Sequence, residues 1–315
     1  MYKVGVDLGG TNISSGVVND KMEIIGRGKL KTRCPRDYKA ILDDVVKTVK
    51  IAVNNADITM DEVESIGLGT PGSVNKSTGY IEYANNLGFN RVPAGEYLKE
   101  RLHKKIYIDN DANCAALGEA KAGVGRGVSS FVAITLGTGV GSGIVLNGEL
   151  WTGVNDCAGE MGHMVIVPDG ESCSCGRRGC WEQYSSATAL IRLTKDSMRH
   201  NMDSVMWDMV DNNISKVGGR TAFDAMRAGD AAASRVVDRY IYYLSLGITN
   251  VVNALQPEII CIGGGVGHEG ENLLVPLRKY VERQRYDNHA QKQTQIVSAK
   301  LGNDAGIIGA ALLDR

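Results

Sequence analysis

A strand–turn–strand pattern at the start of the chain returns 128 positions later. Residues 3–8 alternate with β-branched side chains and run into Gly9-Gly10-Thr11-Asn12, and apolar character resumes at Gly16-Val17-Val18. Val132-Ala-Ile-Thr135 enters the run Leu136-Gly-Thr-Gly-Val-Gly-Ser-Gly143 and leaves through Ile144-Val145-Leu146-Asn147. Laid on each other without gaps, the two segments share Val4, Leu8, Gly9, Ser14, Val17 and Asn19 with their later counterparts. Matching units half a chain apart predict two related lobes, although glycine-rich hairpins also resemble one another by chance.

Between and beyond these units the pattern alternates. Apolar positions at Ala40, Ile41, Val45, Val49 and Ala52 have the three-and-four spacing of a helix over residues 37–55. Residues 64–70 read as a strand closed by Pro71-Gly72, residues 94–103 as a helix, and Ile106–Ile108 as a strand entering Asp109-Asn110-Asp111. A small-residue helix follows at 112–122. Residues 230–255 predict a long helix capped by Asp230 and stopped before Pro257, then a strand at 258–262 entering Gly263-Gly264-Gly265. The closing run Ala305–Leu313 is small and apolar enough to pack closely on a sheet. Strands and helices in alternation make this an α/β protein.

Composition excludes several classes. Lys and Arg total 35 against 36 Asp and Glu, with no local basic run, which argues against a nucleic-acid binder. No apolar stretch reaches the roughly 18 residues of a membrane span, and the opening MYKVGVDLGG lacks the regions of a signal peptide. The expectation is a soluble, cytoplasmic protein. Glycine is abundant, 39 of 315 residues, and gathers in a few turns, as expected of backbone shaped around a ligand.

Four places carry residues suited to chemistry. In Asp7-Leu-Gly9-Gly10-Thr11-Asn12 a glycine turn exposes backbone N–H groups to an anion, and Asp7 is suited to hold Mg²⁺, usually through water; an ordinary hairpin would use the same glycines. The second turn, Gly137-Thr138-Gly139-Val-Gly-Ser-Gly143, leaves so little side chain to pack that close approach to a polyphosphate explains it better than a structural strand. It matches neither the Walker loop, which ends in Gly-Lys-Ser/Thr, nor the dinucleotide fingerprint G-x-G-x-x-G, and a strand rather than a helix follows it. Asp109-Asn110-Asp111 stands at a strand end, where a carboxylate can accept a proton from a substrate hydroxyl during phosphoryl transfer. Asp109 or Asp111 is also expected to cap the helix that follows.

The fourth place is Gly159-Glu160-Met-Gly-His163 with Cys173-Ser-Cys175-Gly-Arg-Arg-Gly-Cys180-Trp-Glu182. One histidine and three thiolates within 18 positions form the donor set of a closed, structural zinc site. The alternative is three buried free thiols with His163 in the core; a disulfide fits a reducing compartment poorly, and a redox pair is disfavoured because the motif is C-x-C rather than C-x-x-C. Cys114 and Cys261 lie in apolar surroundings and read as core.

Together these motifs resemble the ROK family of bacterial sugar kinases and sugar-responsive repressors. The resemblance rests on DLGGTN at 7–12, NDAN at 110–113, TLGTGVGSG at 135–143, GEMGH at 159–163, CSCGRRGCWE at 173–182 and IGGG at 262–265. The run Glu182–Ala189 is similar to the glucokinase branch of that family in Gram-positive bacteria. The resemblance implies a two-lobed actin/hexokinase-like (ribonuclease H-like) fold with an active-site cleft. One lobe would be residues 1–118, completed by a C-terminal helix at 303–315; the other would be residues 119–302 with the zinc-binding loop. It implies ATP-dependent phosphorylation of a hexose, D-glucose to glucose 6-phosphate, with Asp111 as general base.

On the same ground, Gly72, Asn86, Asn110, Asp111, Glu160, His163 and Glu182 would bind the sugar. Asp7, Gly9, Gly10, Thr11, Asn12, Gly137, Thr138, Gly139, Gly264 and Gly265 would bind the nucleotide with Mg²⁺. His163, Cys173, Cys175 and Cys180 would bind structural Zn²⁺, and the chain would form a homodimer or a tetramer. At Gly88 and Phe89 the sequence departs from the family's usual proline and tryptophan, which bears on the wall near Asn86.

Competing readings are a kinase for N-acetylmannosamine, N-acetylglucosamine, mannose or fructose, a non-catalytic sugar-sensing regulator, and an actin-like structural ATPase. Regulators of this family carry a helix-turn-helix domain ahead of DLGGTN, whereas six residues precede Asp7 here. A structural ATPase has no use for the GEMGH and cysteine segments.

Overall fold

A computed structural model describes residues 1–314. The chain divides into two compact units. The first comprises Met1–Ala133, Gly143–Gly159 and the segment from Lys300 on; the second comprises Ile134–Ser142 and Glu160–Ala299.

The first unit is built on strands β1 (Tyr2–Leu8), β2 (Asn12–Val18), β3 (Ile24–Lys31), β4 (Val63–Thr70) and, later in the chain, β8 (Lys105–Asn110). Their order is β3-β2-β1-β4-β8, antiparallel among the first three and parallel from β1 through β4 to β8. Val4, Val6 and Leu8 alternate into the core with no exposed surface, as the period of two requires. Helix α1 (Tyr38–Asn55) starts where the Asp37 carboxylate accepts the N–H of Lys39, and it buries Ile41, Leu42, Val45, Val49 and Ala52. A three-stranded sheet, β5 (Ser73–Asn75), β6 (Tyr80–Ala84) and β7 (Phe89–Val92), had no clear signal in the sequence. Its strands are short and none alternates for more than five residues. Helix α2 (Ala94–Leu102) precedes β8, and α3 (Asp111–Lys121) follows it directly.

The helix Asp304–Ala311 packs on β1, β4 and α3. It can do so because Gly5 and Gly67 face the backbone carbonyls of Ile307 and Ala310, and a Cβ at either glycine would overlap them. That is the physical reason for the small-residue composition of this run.

The second five-stranded sheet has the order β11-β10-β9-β12-β13, and the division between the units passes through β9 and β10. Its strands are β9 (Ser130–Leu136), β10 (Val140–Leu146), β11 (Glu149–Leu150), β12 (Ile259–Gly263) and β13 (Gln295–Ser298). The second unit also holds α4 (Glu182–Ser185), α5 (Ala187–His200) and the long helix Ala231–Leu255, whose cap is Asp230, accepting from Ala233 N–H at 2.7 Å. No helix among the described residues is long and apolar enough to cross a membrane.

Candidate active site

In the first unit the parallel strands deliver their C-terminal ends to one place. β1 ends at Leu8 and β2 begins at Asn12, so Gly9–Thr11 is the turn itself. Gly9 N–H donates to Asn12 O at 2.9 Å, and Thr32 Oγ1 donates to Gly9 O at 2.6 Å. Gly9 therefore shapes the turn, and its own N–H is already used within it. Gly10 backs onto Asn86, whose Cβ would lie 3.5 Å from a Cβ placed at Gly10. Asn86 belongs to the short 3₁₀ turn Asn85–Leu87, ended by Gly88 at φ +68°.

β8 ends at Asn110 and α3 starts at Asp111. The cap of α3 is Asn110, which corrects the expectation of Asp109 or Asp111. Asn110 Oδ1 accepts the N–H groups of Ala112 at 2.8 Å and Asn113 at 3.3 Å. An amide does this without placing a third charge beside two carboxylates. Asn110 Nδ2 donates to Gly72 O at 3.0 Å, which leaves one N–H of the amide for another partner. Gly72 sits at φ +87°, and a Cβ there would overlap the Tyr83 carbonyl.

Asp111 accepts the Ala112 N–H at 2.8 Å. Burial raises its pKa above the ordinary carboxylate value, and the backbone bond from Ala112 opposes the rise. Asp7, at the end of β1, is pushed from 3.8 to about 6, by burial first and by the charge of Asp111 second. Asn12 Oδ1, at the start of β2, is buried without a hydrogen-bond partner. The two carboxylates, close enough for the charge of Asp111 to raise Asp7, make an acceptor-rich pair that fits a hydrated Mg²⁺.

Behind them Asp109 has no exposed surface. Its Oδ1 accepts from Asn110 N–H at 2.7 Å and Asn113 Nδ2 at 2.9 Å, and its Oδ2 has the Lys76 ammonium at 2.5 Å. Lys76 was not picked out in the sequence. It lies in an Asn-Lys-Ser-Thr-Gly turn that reads as solvated surface, and nothing local marks its partner.

In the second unit, the turn Gly137–Gly139 joins β9 to β10 and closes on itself through Gly137 N–H to Gly139 O at 3.0 Å. Glu160 leads into the 3₁₀ turn Met161–His163. Met161 N–H donates to Ser142 Oγ at 3.2 Å, which ties this turn to β10. The donor atoms of His163, Cys173, Cys175 and Cys180 all lie within 4.8 Å of one another. His163 Nδ1 is 3.5 Å from Cys173 Sγ, and Cys175 Sγ is 3.6 Å from Cys180 Sγ. Tetrahedral zinc with ordinary Zn–N and Zn–S bonds spans edges of about 3.5–3.8 Å, so the donor set fits. With Nδ1 turned to the cluster, Nε2 is the ring nitrogen left for another ligand. Burial pushes the Cys180 thiol up to about 12, with the neighbouring sulfurs adding to the rise; a divalent cation at their centre would reverse that.

Trp181, fully buried, anchors the exit from the cluster by donating Nε1–H to Tyr243 O at 3.2 Å. Glu182 follows, and its Oε2 accepts the Val140 N–H at 3.0 Å. β12 leads into Gly264 at φ +79°, where any Cβ would press on the backbone of Leu136, the residue directly before the Gly137–Gly139 turn. Gly265 beside it faces open space. The structure thus brings together Asp7, Gly10, Asn86, Asn110 and Asp111 in one unit. In the other it brings together Gly139, Glu182 and the Cys/His cluster.

Residues 3–315 match the model of the ROK family. A glucokinase of Halalkalibacterium halodurans is 37% identical over 313 residues, covering 99% of this chain and 94% of the relative. A glucokinase of Thermotoga maritima is 34% identical, covering 98% and 95%. The crystal structure of a ROK family glucokinase from Streptomyces griseus, in complex with glucose and AMPPNP, superposes with a TM-score of 0.85 at 33% identity, covering 99% of both chains.

Proposed function

The chain belongs to the ROK family, and from that premise we propose that it transfers the γ-phosphoryl group of ATP to D-glucose, giving glucose 6-phosphate and ADP. The fold is that of the family's sugar kinases, and the similar full-length relatives are glucokinases. The observation that carries the reading is the placement of Asp111: a carboxylate at the end of a parallel strand, partly buried, with its pKa raised towards the working range of a base.

Asp111 accepts the proton of the sugar hydroxyl as its oxygen attacks the γ-phosphorus and ADP departs. Asn110, with one amide N–H still available, and Asn86 orient the sugar, together with Gly72, Glu160, His163 Nε2 and Glu182. Gly10, Thr11, Thr138, Gly139, Gly264 and Gly265 receive the nucleotide, with Gly9 and Gly137 shaping their turns. Mg²⁺ carried with ATP supplies charge neutralisation on the phosphates, and Asp7 and Asn12 are the groups suited to hold it through its water shell. His163, Cys173, Cys175 and Cys180 hold a structural Zn²⁺ that fixes the loop bearing His163 and Glu182. In this reading the two lobes follow the two compact units, Met1–Ala133 with Gly143–Gly159 and the segment from Lys300, and Ile134–Ser142 with Glu160–Ala299, in place of the expected 1–118 with 303–315 and 119–302. The working form is a cytoplasmic homodimer, which light scattering on the purified protein checks against a monomer or tetramer.

The test is ADP release with Mg-ATP against glucose, mannose, fructose, N-acetylmannosamine and N-acetylglucosamine, each alone, with Asp111→Asn as control. Turnover on glucose that the variant loses is the expected result. Clear preference for another of these sugars removes only the substrate; no turnover on any of them removes the kinase.

A further inference from the structure

Within the second unit, the glycine turn read as a nucleotide site and the carboxylate read as a hexose contact are joined directly. The segment leaving the Cys/His cluster grips the turn at three points. Val140 N–H donates to Glu182 Oε2 at 3.0 Å, Ala187 N–H donates to Gly137 O at 2.8 Å, and Thr188 Oγ1 donates to Thr138 O at 2.8 Å. Gly139 completes the fit: a Cβ there would overlap Glu182 Oε2 far inside contact distance. A side chain at 139 would therefore displace the Glu182 carboxylate from its place beside the turn.

We propose that Glu182 is a positioning residue for the Gly137–Val140 turn as well as a hexose contact, so that hexose and nucleotide affinities are coupled through one carboxylate. This role presupposes the hexose kinase reading given above. The division of labour follows from the two oxygens. Oε2 is committed to the Val140 N–H, a charge-assisted bond that holds the turn's exit. Oε1 is the acceptor for a sugar hydroxyl. A hydroxyl that fixes Oε1 also fixes the plane of the carboxylate, and through Oε2 the backbone that would receive the phosphates. Linkage makes the effect reciprocal: whatever the hexose does for nucleotide affinity, the nucleotide does for hexose affinity.

The test uses binding isotherms without turnover, on full-length variants matched to wild type in metal content by elemental analysis. The Kd of glucose is measured without nucleotide, and the Kd of Mg-adenylyl imidodiphosphate without glucose. Glu182→Ala should weaken the nucleotide analogue about tenfold even though no sugar is present. Glu182→Gln keeps an oxygen for the Val140 N–H and should stay within about threefold of wild type for the analogue, while losing glucose affinity. Gly139→Ala, a change in the turn, should weaken glucose about tenfold with no nucleotide in the cell. If Gly139→Ala fails to fold, Thr188→Val removes another of the three bonds and should weaken the analogue about threefold. Unchanged analogue affinity in Glu182→Ala, or unchanged glucose affinity in a folded Gly139→Ala, overturns the coupling. Wild-type protein that binds neither ligand overturns the kinase reading instead.

Discussion

Lys76 Nζ lies 2.5 Å from Oδ2 of Asp109, a carboxylate with no exposed surface. The pair stands directly behind the Asn110-Asp111 segment, and Asp109 Oδ1 holds that segment by accepting the Asn110 N–H. A buried carboxylate stripped of its cation is costly, while removing both charges costs much less. Lys76→Met should therefore lower the unfolding free energy by about 3 kcal/mol. Adding Asp109→Asn should recover most of the loss. Urea midpoints of the two variants check this, and an unmoved midpoint in Lys76→Met removes the pair from any structural account.

Asp7 ties stability to pH. Its carboxyl is raised from 3.8 to about 6, chiefly by burial. Across that window the folded protein keeps a proton that the unfolded chain has shed, so stability falls as pH rises. At pH 7 the ionised Asp7 costs about 3 kcal/mol in the ligand-free protein. Asp7→Asn should be more stable than wild type at pH 7.5 and similar at pH 4, although it loses turnover. Asp111, also raised, acts in the same direction and leaves a residual slope. Equal urea midpoints for Asp7→Asn and wild type at pH 7.5 would contradict the burial argument.

The Cys/His cluster predicts one zinc per chain. Cys180 is fully buried, and burial first and the neighbouring sulfurs second hold its thiol high. Cys180→Ala should lose the bound zinc and lower the Tm, and a strong chelator should do the same to wild type. Elemental analysis paired with thermal unfolding reads both. Metal-free wild-type protein with full stability would show that the thiols pack as ordinary core.

Close packing of the last helix gives a stability prediction remote from the chemistry. A Cβ at Gly309 would overlap the Cys114 carbonyl on α3. Gly309→Ala raises helix propensity, which alone would favour folding by about 1 kcal/mol. Overpacking should outweigh it and leave a net loss of about 1–2 kcal/mol. A stabilised Gly309→Ala would mean that the helix can move away from α3 at no cost.

Local sequence was enough for much of this. Asp230 capping Ala231–Leu255, the alternation of β1 and the amphipathic face of α1 each depend on residues a few positions apart. The cysteines, grouped within eight positions around Gly176 and Gly179, likewise announce their own cluster. Three adjacent polar residues, Asp109, Asn110 and Asp111, have similar capping chemistry, so local sequence does not single out the cap of α3. What separates them is burial against the sheet and a distant partner, Gly72 O.

Contacts between distant residues lay outside that reach. Glu119, buried at 2% exposure, accepts the backbone N–H groups of Lys300 at 2.8 Å and Leu301 at 2.6 Å. Glu182 meets Val140 across 42 positions, and Lys76 meets Asp109 across a turn that reads as solvent-facing. The glycine turns, the Asp230 cap and the cysteine cluster are written in short stretches of sequence, because they follow from backbone conformation and donor chemistry among near neighbours. Which carboxylates are buried, and what each one holds, is set by tertiary contacts, because desolvation and hydrogen-bond partnership depend on segments that chain order keeps far apart.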